Sequence, residues 1–157
     1  MGVGKSATCK ALLNRLGPAA YLDGDWCWMM NPWIVNERTI TMVESNITHL
    51  LQQYISLPDI RNVIFGWVMH RSDILERLIR ELDQPNLRTF VFTLTCSRDA
   101  LRRRIEDDIK MGRRSEDNLR RSLERLPLYE DMPWPKIDVS TITAEQAAQQ
   151  IAKVVLH

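Results

Sequence analysis

Apolar positions recur along this chain in two rhythms. Steps of three and four place Ile40, Val43, Ile47, Leu50, Leu51 and Tyr54 on one stripe, which predicts an amphipathic helix. Ala11, Leu12 and Leu16 share that spacing within a helix expected over residues 6–16, which Gly17-Pro18 ends. Ile74, Leu75, Leu78, Ile79 and Leu82 form the inner face of another, with Ser72 as its expected N-cap. Short apolar runs read as strands instead: residues 20–22, 62–67, 89–94 and 137–139. The run at 62–67 lacks alternation, as a strand covered on both faces does. Ser97 is expected to cap the helix after the third strand. Thr143 and Gln146 spell a capping box ahead of Ala147, Ile151, Val154 and Val155. Helix-period and strand-like segments therefore alternate, which predicts an α/β fold with a parallel sheet.

Composition narrows this picture without redirecting it. At 157 residues, 45% hydrophobic and 26% charged, the chain suits one globular domain, residues 1–157. Pro127, Pro133 and Pro135 punctuate a connection to the last strand and demand no domain boundary. A net charge of +1 provides no global field toward nucleic acid or an anionic membrane, so neither is an expected partner. Cys9, Cys27 and Cys96 are too few and too widely spaced for a disulfide framework or a zinc site. No apolar run reaches the length of a membrane span, and the N-terminus lacks the basic and apolar regions of a signal peptide. The expected setting is the reducing cytoplasm; the oligomeric state is left open.

Candidate chemistry begins at once. Gly2-Val3-Gly4-Lys5-Ser6 matches the end of the phosphate-loop pattern G-x-x-x-x-G-K-[ST]. Glycines let successive backbone N–H groups converge on phosphate oxygens, and the helix that follows adds the positive end of its dipole. Gly2, Val3, Gly4, Lys5, Ser6 and Ala7 are thus candidate nucleotide-binding positions. Lys5 is the mobile charge on the β and γ phosphates, and Ser6 is the hydroxyl facing magnesium. A chance Gly-Lys-Ser is the plain alternative. Counted back from Gly4, the pattern's first glycine and its feeding strand would precede Met1. The chain is accordingly read as starting at an internal methionine of a longer protein; a natural, impaired truncation is the other reading.

Asp23 and Asp25 follow the first short strand. Phosphoryl transfer to a hydroxyl needs a carboxylate that orients it and accepts its proton. Asp25 is the candidate for that task, and Asp23 for holding magnesium through water; an Asp-Gly turn is the structural alternative. Trp26, Trp28 and Trp33 come directly after, as the wall of a substrate pocket or as core.

Arginines crowd residues 102–121. Glu106, Asp107 and Asp108 interrupt them, so a solvated salt-bridged face is the default for most. Arg104, Arg113 and Arg114 are the candidates for contacting a transferring phosphate, since residues 110–115 read as a hinge. No aspartate ends the strand at 62–67, where a Walker B acid would stand. His70, which follows, is a weaker candidate for substrate contact. The guanine motif Asn-Lys-x-Asp is absent, against a switch GTPase.

The order of these features resembles the P-loop small-molecule kinases, the group holding gluconate, shikimate, adenylylsulfate and nucleoside-type kinases and zeta-toxin-like proteins. Leu22-Asp23-Gly24-Asp25 looks like the acidic segment of adenylylsulfate kinases, whose second aspartate lies at the acceptor. The segment from Ser97 to Arg104 looks like the approach to the group's lid helices. The segment from Asp138 to Thr143 looks like the last strand and adenine-site turn. The resemblance implies a three-layer αβα P-loop NTPase fold with strand order 2-3-1-4-5, its first strand absent from this chain. It also implies a helical lid over about residues 102–128 and ATP with Mg2+. The expected function is ATP-dependent phosphorylation of a small hydroxyl- or phosphate-bearing acceptor. The competing expectation is a non-catalytic nucleotide-binding or regulatory protein, and an RNA-binding role for the arginines is disfavoured by their interleaved acids.

Overall fold

The computed structural model describes residues 2–69, 71–82 and 84–157. His70 lies outside the described residues. The chain forms two compact units, one made of Met1–Thr8 with Phe90–His157 and the other of Cys9–Thr89. Helix α1, Lys5–Leu13, begins in the first and ends in the second.

In the Cys9–Thr89 unit, strand β1 (Ala19–Asp23) leads through a 3-10 turn, Gly24–Trp28, to helix α2 (Glu37–Ser56). Strand β2 (Asn62–Gly66) then returns parallel to β1, in register from Ala19 opposite Asn62 to Asp23 opposite Gly66. A parallel return needs a long crossover, and the 20-residue α2 supplies it. Gly17, at φ +74°, turns the chain out of α1, and the Pro18 carbonyl accepts the N–H groups of Arg61 and Asn62, which pins the start of β2. Helix α2 opens on a capping box of Asn36 and Thr39. It buries Val43, Ile47 and Leu51 at four-residue steps, against Leu22, Trp28 and Leu78. Sealing each of these aliphatic side chains from water is worth roughly 1.5–3 kcal/mol, which makes the stripe the unit's main stabilising feature.

Helix α3, Ser72–Leu82, lies beside α2 and is tied to it by Arg77 to Glu44 at 3.3 Å and by the Thr48 hydroxyl donating to Glu81 at 2.9 Å. Ser72 is the first helical residue rather than the cap before it. Asp73 takes both Arg71 and Arg77 in the first turn.

The other unit holds strand β3 (Thr93–Thr95), helices α4 (Arg98–Lys110) and α5 (Glu116–Arg125), strand β4 (Lys136–Asp138) and helix α6 (Ala144–Val155). β3 and β4 pair in parallel, Thr93 opposite Lys136 through Thr95 opposite Asp138. The strand expected over 89–94 is thus shorter and shifted toward its C-terminal end. Pro133 and Pro135, just before β4, have no N–H to donate, so the ladder cannot run back along β3's approach. Ser97 caps α4 by accepting the Ala100 N–H, and Thr143 with Gln146 caps α6, both as expected. Leu101 and Ile105 of α4, Ile137 and Val139 around β4, and Ala147, Ala148 and Ile151 of α6 are buried.

Among the described residues the strands therefore number four, in two parallel pairs, and none precedes α1. The chain is an α/β protein. No helix among the described residues is long and apolar enough to cross a membrane.

Candidate functional site

The glycine loop ahead of α1 has backbone angles that alternate in sign. Gly2 sits at φ +84° and Gly4 at +95°, while Val3 between them keeps the negative φ of an ordinary L-residue. Such alternation curls consecutive N–H groups into a concavity that suits anions. The two glycines are required for different reasons. A Cβ on Gly2 would stand 2.9 Å from Ile105 Cγ1 and 3.0 Å from Leu101 Cδ1, so the loop rests directly on α4. A Cβ on Gly4 would meet nothing within 4 Å, and only its backbone angle calls for glycine there.

Helix α1 starts immediately, its first turn closed by the Thr8 N–H donating to the Gly4 carbonyl at 2.9 Å. Lys5 is half-buried, and Ser6 and Ala7 are exposed. The other five α-helices each carry an acid in the first turn, which offsets the positive dipole end; α1 has none and carries Lys5 instead. Two positive features thus meet at a concave loop, an arrangement that an incoming anion stabilises.

Arg104 is tied to this loop. Its guanidinium donates to the Val139 carbonyl after β4 and reaches the Val3 carbonyl at 3.5 Å. Main-chain bonding takes part of its five-donor fork and makes the side chain a strut across the unit. Arg113 and Arg114 follow the end of α4, where Gly112 turns at φ +70°. Both lean on Asp108, Arg114 Nε at 2.9 Å and Arg113 Nη1 at 3.8 Å. Two guanidinium groups thus share one carboxylate at the elbow between α4 and α5. Arg102, Arg120 and Arg121 instead pair with acids on their own helices, the solvated face expected of them.

Beyond Val139, Ser140 donates its backbone N–H to Asp138 Oδ1 at 2.8 Å and accepts the Ser97 N–H on its hydroxyl oxygen at 2.7 Å. The Ser140 hydroxyl also donates to Asp138 Oδ1, and it, followed by the backbone N–H, holds the Asp138 carboxyl below its ordinary range. This knot joins the C-terminal ends of β3 and β4, and no spacing in the sequence signals it.

In the other unit, Asp23 and Asp25 have separate surroundings. Asp23 is buried; its Oδ2 accepts the Tyr21 hydroxyl at 2.8 Å and its Oδ1 the Asp25 N–H at 3.1 Å. Asp25 is exposed. The intervening Gly24 lies under the Trp67 indole, where a Cβ would come within 2.4 Å of the ring, so no other residue fits. Tyr21 was not a candidate from the motif, although alternation along a strand does place it on the face of Asp23. The tryptophans divide: Trp28 joins the core, whereas Trp26 and Trp33 are largely exposed. Among the described residues no cluster of three or more His, Cys, Asp or Glu side chains is arranged to hold a metal.

Neither a protein-family model nor a curated protein matches the chain. Solved structures do. The tunicamycin resistance protein of Deinococcus radiodurans superposes with a TM-score of 0.65 at 17% identity, over 95% of this chain and 89% of that one. A gluconokinase from Sinorhizobium meliloti 1021 gives 0.61 at 14% identity, over 99% and 91%. Shikimate kinase from Bacteroides thetaiotaomicron gives 0.58 at 17% identity, over 100% and 94%. Identities this low speak for the fold alone. That fold is the one of the P-loop small-molecule kinases.

Proposed function

We propose that this protein is an ATP-dependent phosphotransferase acting on a small hydroxyl- or phosphate-bearing molecule. The observation that carries the reading is the loop at residues 2–6: two left-handed glycines around Val3, a helix whose first turn has no acid, and Lys5 at its start. The cradle fits a polyphosphate, because its glycines have the angles that converge N–H groups and Gly4 leaves the approach open.

In this reading the backbone of Gly2, Val3, Gly4, Ser6 and Ala7 binds the donor phosphates, and Lys5 neutralises the oxygens of the transferred group. Ser6, with Asp23 through water, would hold magnesium, which when bound adds positive charge at the phosphates. Asp25 accepts the proton of the acceptor hydroxyl while its oxygen bonds to phosphorus and ADP leaves. Arg113 and Arg114 approach the transferring group from the α4–α5 elbow, the helical lid of about residues 102–128, and Arg104 braces the phosphate loop. The sheet order 2-3-1-4-5 is part of this proposal. What supports it is that the two pairs found, β1 with β2 and β3 with β4, match the neighbours 2-3 and 4-5 of that order when the expected strand ahead of the loop is counted as strand 1. The whole chain then acts as one kinase domain.

The test is ADP release with ATP, Mg2+ and a panel of acceptors, run on the protein and on Lys5→Ala. Turnover that disappears in the folded variant supports the assignment. Turnover unaffected by Lys5→Ala overturns it, and saturable ATP binding with no ADP release makes this a nucleotide-binding protein instead.

A further inference from the structure

We infer that the acceptor taken at Asp25 is an amphiphile, a hydroxyl-bearing molecule with an alkyl or aromatic arm that lies on the surface of residues 26–35. The inference rests on the role of Asp25 proposed above and goes on to the chemistry of the substrate.

Residues 26–36 contain no charged side chain in a protein that is 26% charged. Trp26 is 52% exposed, Met29 84%, Trp33 64%, Ile34 42% and Val35 59%, so these five present apolar side chains to water while Trp28, with Cys27 and Met30 against it, turns into the core. A run of this kind on a folded surface marks a place where something apolar binds.

The surface is also held firm. Trp33 lies on the buried Trp28, ring centroids 5.3 Å apart, and Trp26 meets Tyr21 edge-on at 5.5 Å. Tyr21 links this surface to the carboxylate. Its ring carries Trp26, and its hydroxyl holds Asp23, whose other oxygen holds the Asp25 backbone N–H. One buried residue thus positions both the aromatic plate and the candidate base, so a molecule whose hydroxyl reaches Asp25 has Trp26 beside it. This is the reason for assigning the surface to the acceptor rather than to a second copy of the chain.

A polyol would be poorly served here. Asn31 and Asn36 are the segment's amide side chains, and Asn36 is already engaged in capping α2.

The probes are glucose and its hexyl, heptyl and octyl β-glucosides, kept below their micelle concentrations, with tryptophan fluorescence and ADP release as readouts. Affinity should rise roughly three- to fourfold per added CH2, while glucose stays silent. Met29→Ala and Trp33→Ala, both at exposed positions, should weaken octyl glucoside at least fivefold and leave ATP binding unchanged. Affinity independent of chain length overturns the inference. So does ADP release driven by polar acceptors alone, which would leave the kinase reading standing. A dimer that Trp33→Ala converts to monomer also overturns it, since the surface would then be a contact between copies. Conversely, chain-length-dependent binding without any ADP release would count against the kinase reading and not against an apolar ligand at this surface.

Discussion

Gly2 rests against Ile105 so closely that a Cβ on the glycine would lie 2.9 Å from the isoleucine's Cγ1. The glycine loop proposed to hold phosphate is therefore shaped from two directions: by its own left-handed angles and by a helix that begins nearly a hundred residues later. Substituting Gly2→Ala adds both steric overlap and an unfavourable φ. Overpacking of this kind costs about 1–3 kcal/mol. The expected result is a lower melting temperature together with weaker ATP binding. Adding Ile105→Ala should not restore the binding, because the φ of +84° stays unfavourable for alanine. Full recovery in the double variant would show that packing alone had mattered.

Arg104 braces the same loop through Val3 and Val139. Arg104→Ala should raise the KM for ATP more than it lowers kcat, since the loop loses a support while Lys5 remains. Lysine at this position keeps the charge but not the fork that spans two carbonyls, so Arg104→Lys should rescue only part of the loss. A selective fall in kcat, with KM unchanged, would point to direct contact with the transferring phosphate.

Tyr21 supplies the hydroxyl bond to buried Asp23. Leaving a buried carboxylate oxygen without that donor costs about 1–3 kcal/mol. Tyr21→Phe keeps the ring contact to Trp26 and removes only the hydroxyl, so stability measured by urea unfolding should fall by that order. If Asp25 is held through Asp23 as the bonds indicate, kcat should fall as well. Wild-type stability in Tyr21→Phe would mean the hydroxyl bond contributes nothing to the fold.

Asp73 is held at about 2, first by its hydrogen bond to Arg71 and then by Arg77. Its folded value is thus below the unfolded one, near 3.9. The stabilisation it brings is complete above that unfolded value and disappears as pH falls toward 2. Melting temperature should accordingly decline across this window, and the decline should be shallower in Asp73→Asn. Identical slopes for the two proteins would show that the Arg71–Asp73–Arg77 cluster does not contribute to acid stability.

Much of the fold was legible from residue order because its signals are local. The stripe of Val43, Ile47 and Leu51 and the caps at Ser97 and Thr143 depend on neighbours within a turn or two, whereas α1, expected to run to Leu16, ends at Leu13 ahead of the Gly17 turn. The third strand, Thr93–Thr95, is shorter than its apolar run predicts because ladder length depends on the partner, whose prolines lie some forty residues away. Serine's preference for the cap predicts Ser72 there, although the helix takes it as its first residue. The tryptophans were undecidable from sequence. Trp28 and Trp33 share composition and context, and only folding buries one and leaves the other in water.

The sequence by itself determined the α/β class and singled out the glycine loop at residues 2–6, because periodicity, capping and glycine spacing act over a few residues. Tertiary structure alone decided what those groups meet. Gly2 lies under α4, Gly24 under Trp67, and Arg104 bonds to carbonyls at opposite ends of the chain. Contacts between distant residues follow from close packing and from the need to satisfy buried polar groups, and neither leaves a period in the sequence.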